Sequence, residues 1–390
     1  MAARLRVLHC LRAPVGGLFR HVIDLARAQI AAGCSVGIIA DALTGGEAAN
    51  AKLNEIAPDL ALGVTRVPMP RGFGLADYTA FVATKALAQG LDADVLHGHG
   101  AKGGAYARLA AMRLRQAGRA VRVLYTPHGG SLHFAPGSPQ GLLFLGLERQ
   151  LAKVTDGLIF ESDYSRRIYL AKVGTPPCPV RVIPNGLLPG DFTPYQPASG
   201  AADVVFVGEL RQLKGVDVLL NALAQTSMPR APTAVIVGSG PDEQAFKALA
   251  AKLDLGTRVH FAGAMPAPKA FPLGRLLAVP SRAESFPYIV LEGAAAGLPM
   301  LLSNVGGIPE ITQGTSAELL APGDADEFSR RLSAFLSDPA SMQTTAAELK
   351  RRVAARFTVE RMAAGILDFY GNLPRHHQDS LAAAKVLPSG

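Results

Sequence analysis

"RLRVLHCLRAPVGGLFRHVIDLARAQIAAGCSVGIIA", residues 4–40, decides the fold class. An apolar run at 4–11 reads as a strand, Gly16 and Gly17 follow as a turn, and Leu18, Val22, Leu25 and Ile30 recur at helical spacing before a second β-branched run at 35–40. Strand, glycine turn, helix and strand in that order make a parallel βαβ unit. Runs at 94–97, 121–126 and 157–162 continue the series, and 203–208, 233–238, 258–263, 275–281 and 299–303 form a second one. The expectation is an α/β protein with two Rossmann-like, doubly wound domains at 1–183 and 203–356, joined by a Pro-, Gly- and Asn-rich linker at 184–202. A helix at 357–373 is expected to pack back on the first domain, and 374–390 reads as a polar tail with His376 and His377 solvated.

The 390 residues are 49% apolar, ample for two cores. Cys10, Cys34 and Cys178 are odd in number and widely spaced, so neither a disulfide framework nor a cysteine-based zinc site is expected, which fits a reducing cytoplasm. Arg12 interrupts the first apolar run and no small-residue cleavage pattern follows, which argues against a signal peptide. No eighteen apolar residues run uninterrupted, so a spanning helix is not expected. The net charge is +8, and no acid lies between Asp94 and Glu148, whereas Lys102, Arg108, Arg113, Arg115, Arg119 and Arg122 do. The stretch 95–147 reads equally as a solvated helix face or as a patch for lipid phosphates or an anionic membrane. Nucleic acid is a poor third partner, since no binding motif accompanies the arginines and aromatics are sparse.

Several motifs fall at strand ends. Gly16 and Gly17 let backbone N–H groups approach an anion at a helix start, although alone they read as a tight turn; G-x-G-x-x-G is absent, which disfavours an ordinary dinucleotide site. Gly238 and Gly240 in "VGSGPDEQ" match the first two glycines of that fingerprint, with Glu243 at the third position. Arg211 and Lys214 follow the strand 203–208, where two cations suit a diphosphate. His128 stands just past a strand in "YTPHGG". His97 and His99 end a neighbouring strand, but no carboxylate or third ligand is near in sequence, so a metal site is rejected. Two D-x-D triplets, Asp92/Asp94 and Asp324/Asp326, read as structural. In "ESFPYIVLE" the helix is expected from about 287 to 296, with Pro287 early in it, Glu284 in the loop before it and Glu292 inside it. The N–H groups around Ser285, Phe286, Pro287 and Tyr288 then form a polar mouth at a helix start.

This ordered set, "GG", "PHG", "IPNG", "GELRQLKG", E-x7-E and "NVGGIPEI", resembles glycosyltransferase family 4 over almost the whole chain. The resemblance implies the GT-B fold, with two Rossmann domains facing each other across a cleft, and a retaining transfer of a hexosyl unit from a nucleotide sugar without a metal or other cofactor. It implies that Glu284 lies by the donor sugar, that Glu292 bonds the ribose, that Gly16 and Gly17 approach the diphosphate, that Arg211 and Lys214 neutralise it, and that His128 lies beside the transferred sugar. One departure stands out: Glu209 occupies the place of the family's usual arginine, and Arg211 comes two residues later as its replacement. The implied partners are a UDP or GDP sugar and a glycan or lipid-linked acceptor of lipopolysaccharide, exopolysaccharide or other surface glycan, at the inner face of a membrane. Competing readings are a GT-B nucleotide-sugar epimerase, which the E-x7-E match disfavours, and a noncatalytic nucleotide-sugar or glycan-binding component, which Glu209 favours.

Overall fold

The computed structural model describes residues 4–72 and 74–374; His376 and His377 and all but the first residue of the expected tail lie outside them. The chain divides into two units, 1–184 with 359–390, and 185–358.

The first unit alternates β1 (Arg6–Leu11), α1 (Gly16–Ala31), β2 (Ser35–Asp41), α2 (Gly46–Ile56), β3 (Val64–Val67), α3 (Leu75–Gly90), β4 (Val95–His99), α4 (Gly100–Gln116), β5 (Arg122–Thr126), α5 (Pro139–Ala152), β6 (Gly157–Phe160), α6 (Asp163–Lys172) and β7 (Val180–Val182). Its seven-stranded sheet is ordered β3-β2-β1-β4-β5-β6-β7, and the described pairings are parallel. β2, β4 and β5 are buried at every residue, as strands covered by helices on both faces must be.

The second unit runs β8 (Ala202–Val207), α7 (Val216–Gln225), β9 (Ala234–Val237), α8 (Glu243–Lys252), β10 (Val259–Gly263), α9 (Ala267–Ala270), β11 (Gly274–Val279), α10 (Tyr288–Ala296), β12 (Met300–Ser303), α11 (Ile308–Thr312), β13 (Leu319–Leu320), α12 (Ala325–Ser337) and α13 (Gln343–Arg356). Its sheet, β10-β9-β8-β11-β12-β13, repeats the reversal of strand order after the first three strands. α14 (Val359–Asn372) belongs to the first unit, where Phe369 packs on Gly157 and Arg122 donates to the Tyr370 carbonyl.

Three strands escaped the sequence reading. β3 and β7 are edge strands only half-buried, and β13 has two residues, so none shows a long apolar run. The stretch 184–202 is no free linker: Leu187 is fully buried, Tyr195 N–H donates to Ala296 O at 2.9 Å, and its hydroxyl donates to Gly274 O at 2.7 Å. Its prolines suppress regular structure without preventing it from packing along the second unit.

The acid-free stretch is also reinterpreted. Lys102 pairs with Asp77, Arg108 with Glu148, Arg115 with Asp156 and Arg119 with Asp92, so acids beyond 95–147 neutralise it. Arg108 and Arg122 are buried, which makes this neither a solvated face nor a continuous basic surface. Cations a few residues apart in sequence need not share a surface once crossovers bring distant carboxylates beside them.

Candidate active site

In the second unit, β11 feeds the loop 280–287 at the carboxyl end of the sheet, beside the reversal between β8 and β11. Open α/β sheets hold ligands at such points because neighbouring crossovers leave in opposite directions and open a crevice. Glu284 sits in this loop with its side chain only 8% exposed. Its carboxylate accepts from Lys214 Nζ at 2.7 Å and from Ser281 Oγ at 2.8 Å. Lys214 comes from the loop after β8, closing a single 3-10 turn at Gln212–Lys214.

Two glycines make this junction possible. A Cβ on Gly215, at φ +71°, would lie 1.9 Å from Pro280 O; one on Gly306, at φ +60°, would lie 1.7 Å from Glu284 O. The cationic loop and the "NVGG" loop therefore both press on the segment 280–284, at distances only a residue without Cβ allows.

Pro287 is the N-cap of α10, with φ −74° and ψ 123°, and not its first helical residue. An extended proline there leaves no N–H unpaired, and it also supplies none to a ligand. Phe286 and Tyr288 point into the core, Phe286 edge-on to Phe357 at 5.4 Å between ring centres. Their side chains brace the loop, which leaves the main chain and Ser285 as the parts of this segment able to meet a donor. Asn185 Nδ2 donates to Phe286 O at 3.0 Å, which ties the "IPNG" segment to the same loop. Glu292 is half-buried on α10. Arg211 lies 3.8 Å from Glu209 with both side chains about half exposed, so Lys214, and not Arg211, is the cation that reaches Glu284.

In the first unit, Gly16 opens α1 at φ +62° with Gly17 beside it, both exposed. His128, after β5, has φ +49°, a left-handed conformation that costs energy for a residue other than glycine. What holds it is a row of side chains the sequence reading did not assemble. His9 Nε2 meets Gln29 Oε1 at 2.8 Å, His9 Nδ1 meets His99 Nε2 at 3.0 Å, and His99 Nδ1 meets His128 Nε2 at 3.1 Å. His128 Nδ1 ends the row on the Glu161 carboxylate. His97 bonds Tyr370 OH at 2.7 Å and Thr126 Oγ1 at 2.8 Å, and the His21 ring stands edge-on to His128.

The rejected third ligand thus exists: His9, His97 and His99 have ring nitrogens within 4.8 Å of one another, as do His21, His99 and His128. β1 and β4 are paired neighbours, so His9 meets His97 and His99 across the pair although about ninety residues separate them in sequence. In His9 and His99 both ring nitrogens already serve the hydrogen-bonded row, and those of His97 serve Tyr370 and Thr126, so a metal there would have to displace those bonds. The one available signal was His9 and His97 standing inside otherwise apolar strands.

The row has a defined proton count. Each nitrogen-to-nitrogen contact needs one hydrogen. With Gln29 Oε1 accepting from His9, every hydrogen points away from His128, which then keeps a second one for Glu161 and is an imidazolium paired with a carboxylate. Turning the Gln29 amide over reverses every bond and leaves all three rings neutral. The two settings differ by one proton, held beside His128. Burial pushes the Glu161 carboxyl up, but the His128 charge and hydrogen bond outweigh it and hold it below its ordinary value.

Residues 15–188 match the family described as Glycosyltransferase Family 4, and residues 191–353 match Glycosyl transferases group 1. The chain is 30% identical over 297 residues to the glycosyltransferase EpsD of Bacillus subtilis (strain 168), covering 71% of this chain and 76% of that protein. The chain belongs to glycosyltransferase family 4. It is 29% identical over 247 residues, 57% of this chain, to D-inositol 3-phosphate glycosyltransferase of Rhodococcus jostii, and it spans about half (54%) of that protein's length. Among solved structures, HepE of Anabaena in complex with UDP-glucose aligns with a TM-score of 0.75 at 20% identity, over 95% of this chain and all of that one. These likenesses identify the architecture as GT-B.

The histidine row gives this family 4 chain a predicted acid response. Burial lowers His9 to about 4, and burial together with the neighbouring rings holds His97 and His99 well below the ordinary value. The unfolded chain takes up these protons below about pH 6.5 while the folded unit does not, so stability falls as pH drops from about 6.5 towards 4. His9 alone accounts for about 3 kcal/mol at the lower end. Calorimetry from pH 7 to pH 5 is expected to lower the first unit's transition more than that of the second, whose described residues include only the exposed His260. Equal shifts of both transitions would remove the row as the cause.

Proposed function

We propose that this chain transfers a hexosyl unit from a nucleotide sugar to a growing surface glycan, with retention of configuration and without a metal. The observation that carries the reading is the Lys214–Glu284–Ser281 cluster at the strand-order reversal, where a leaving diphosphate and a sugar acquiring positive charge need opposite charges close together. Preorganised charges of this kind act most strongly where water is excluded. In this reading Lys214 serves the diphosphate, Glu284 the sugar and Glu292 the ribose, while the exposed start of α1 at Gly16 and Gly17 approaches the phosphates and His128 the sugar. The HepE complex makes UDP the first nucleotide to try, with GDP next.

Metal independence is supported by the engagement of three of the four D-x-D aspartates: Asp324 caps α12, Asp92 pairs with Arg119, and Asp94 accepts from Arg6 N–H. Among the described residues no helix is long and apolar enough to cross a membrane. We place the chain in the cytoplasm, working at the inner membrane face.

The test is a panel of UDP, GDP and ADP sugars with extracted lipid and glycan acceptors, with and without EDTA, read by mass spectrometry and by the anomeric proton of the product. Retained-configuration product insensitive to EDTA is expected. Silence from every donor would defeat the reading. A second reading rests on the Glu209–Arg211 pair, which puts a carboxylate where a diphosphate would want unopposed positive charge; it makes the chain a binding component. Saturable UDP-sugar binding without turnover would select it.

A further inference from the structure

A cavity of about 260 Å³ lies within the first unit among α3, α4 and α5. It is close to the lower end of small-ligand pockets. Tyr78, Phe81, Ala105, Leu109, Phe144 and Leu147 are in its wall. Its inner edge belongs to the histidine site: Ala101 follows His99 by two residues, Ser131 follows His128 by three, and both line the cavity. A Cβ on Gly130 would come within 3.2 Å of Ala101 N, so these two segments touch.

Asp77, Lys102, Tyr106, Ser131 and Glu148 in the wall are already engaged. Lys102 donates to Asp77, Pro70 O and Gly72 O, and Tyr106 OH also donates to Asp77. Glu148 accepts from Arg108 at 2.9 Å, Tyr125 OH at 3.0 Å and Ser131 Oγ at 3.1 Å. A sugar ring placed here would bury hydroxyls with few partners, and each unpaired one is costly. A hydrocarbon loses nothing of that kind. Apolar surface continues along the same helices: Tyr78 and Leu147 line the cavity, Leu75 shares a face of α3 with Tyr78, Leu143 shares a face of α5 with Leu147, and all four are exposed. Exposed apolar side chains grouped with a pocket's lining mark an interaction site more than single ones scattered over a surface do.

We propose that this cavity receives the hydrocarbon chain of the acceptor, so that the group presented beside His128 is the sugar or hydroxyl head of an amphiphile. The inference rests on the transferase reading for the word acceptor, and on the cavity alone for the hydrocarbon.

The test uses n-alkyl β-D-glucosides from methyl to octyl, below their micelle concentrations, titrated calorimetrically into the full chain without donor. Affinity is expected to rise about fourfold per added methylene and then level off as the cavity fills. Ala105→Phe, which fills the cavity, and Leu147→Glu, which places a charge at its mouth, are each expected to weaken octyl glucoside binding at least tenfold. Leu147 is exposed, so its variant folds even if the first does not. Slow hydrolysis of the donor into water is expected to be unchanged in both.

Binding independent of chain length, or an unchanged slope in both variants, would overturn the proposal. So would flotation with phosphatidylcholine vesicles combined with no chain-length effect, which would make the leucines a membrane contact. Donor hydrolysis without acceptor tests the transferase reading separately. Chain-dependent binding in a protein that turns over no donor would keep the hydrocarbon site and remove its acceptor role.

Discussion

Glu284→Gln is expected to lower kcat by about 10² to 10³ while leaving donor affinity within a few-fold. This is the range found when one preorganised electrostatic group is removed from an active site. Glutamine keeps the shape of the side chain and can still accept from Lys214 and Ser281, so the loop stays in place and only the charge is lost. The carboxylate is nearly buried, and its Lys214 contact is 2.7 Å long. Removing Lys214 with Lys214→Met should cost a similar factor and leave Glu284 with one partner fewer. The double variant should be far less impaired than the product of the two, because groups acting as one unit are not additive. Initial rates of nucleotide release on the best donor of the panel provide the measurement. A Glu284→Gln protein within threefold of wild type would remove the residue from the chemistry.

Gly306→Ala should be as damaging although it touches no charge. The added methyl would sit 1.7 Å from Glu284 O, inside any contact that real atoms make, and that obstacle is backbone and cannot swing aside. Either the "NVGG" loop or the Glu284 segment must move by more than an angstrom, and misplacement on that scale costs about 10² in rate. We expect a loss of at least that factor, together with a lower thermal midpoint of the second unit. Gly314→Ala serves as the comparison: it has a similar φ of +77° but no atom nearer than 3.9 Å, so it should lose some stability and little activity. Equal activity of the two variants would show that close approach at Gly306 does not position Glu284.

How much of this was legible in sequence depends on the range of the interaction. Strand and helix periodicity is local, so strands with a clear apolar run were readable, the half-exposed edge strand β10 among them, whereas the three- and four-residue edge strands β7 and β3 and the two-residue β13 were not. Lys214, Glu284 and the glycines between them were legible as motifs, because each stands at a strand end or a turn where residue type is constrained by backbone geometry. The direction of the Phe286 and Tyr288 rings was not legible, because a motif shows adjacency and not where a side chain points; the core took both, and only their main chain stays at the helix start.

The charge pattern illustrates the opposite failure. Six cations in an acid-free window look like a surface, yet Asp77, Asp92, Glu148 and Asp156 come from outside it and neutralise four of them. The histidines behave in the same way. His97 and His99 seemed to lack a partner because theirs come from β1, β5, the loop after β5 and α14, separated by up to 273 residues.

The amino-acid order by itself determined the alternating βαβ pattern, the division into two sheets and the family, since all three are written in local periodicity and in short motifs at strand ends. Only the tertiary structure decided which charges meet, which side chains face the core, and that His128 stands in a cluster of five histidines with the Glu161 carboxylate beside it. The physical reason is that a parallel sheet pairs strands through long crossovers, so the residues that share its carboxyl edge are neighbours in space and strangers in sequence.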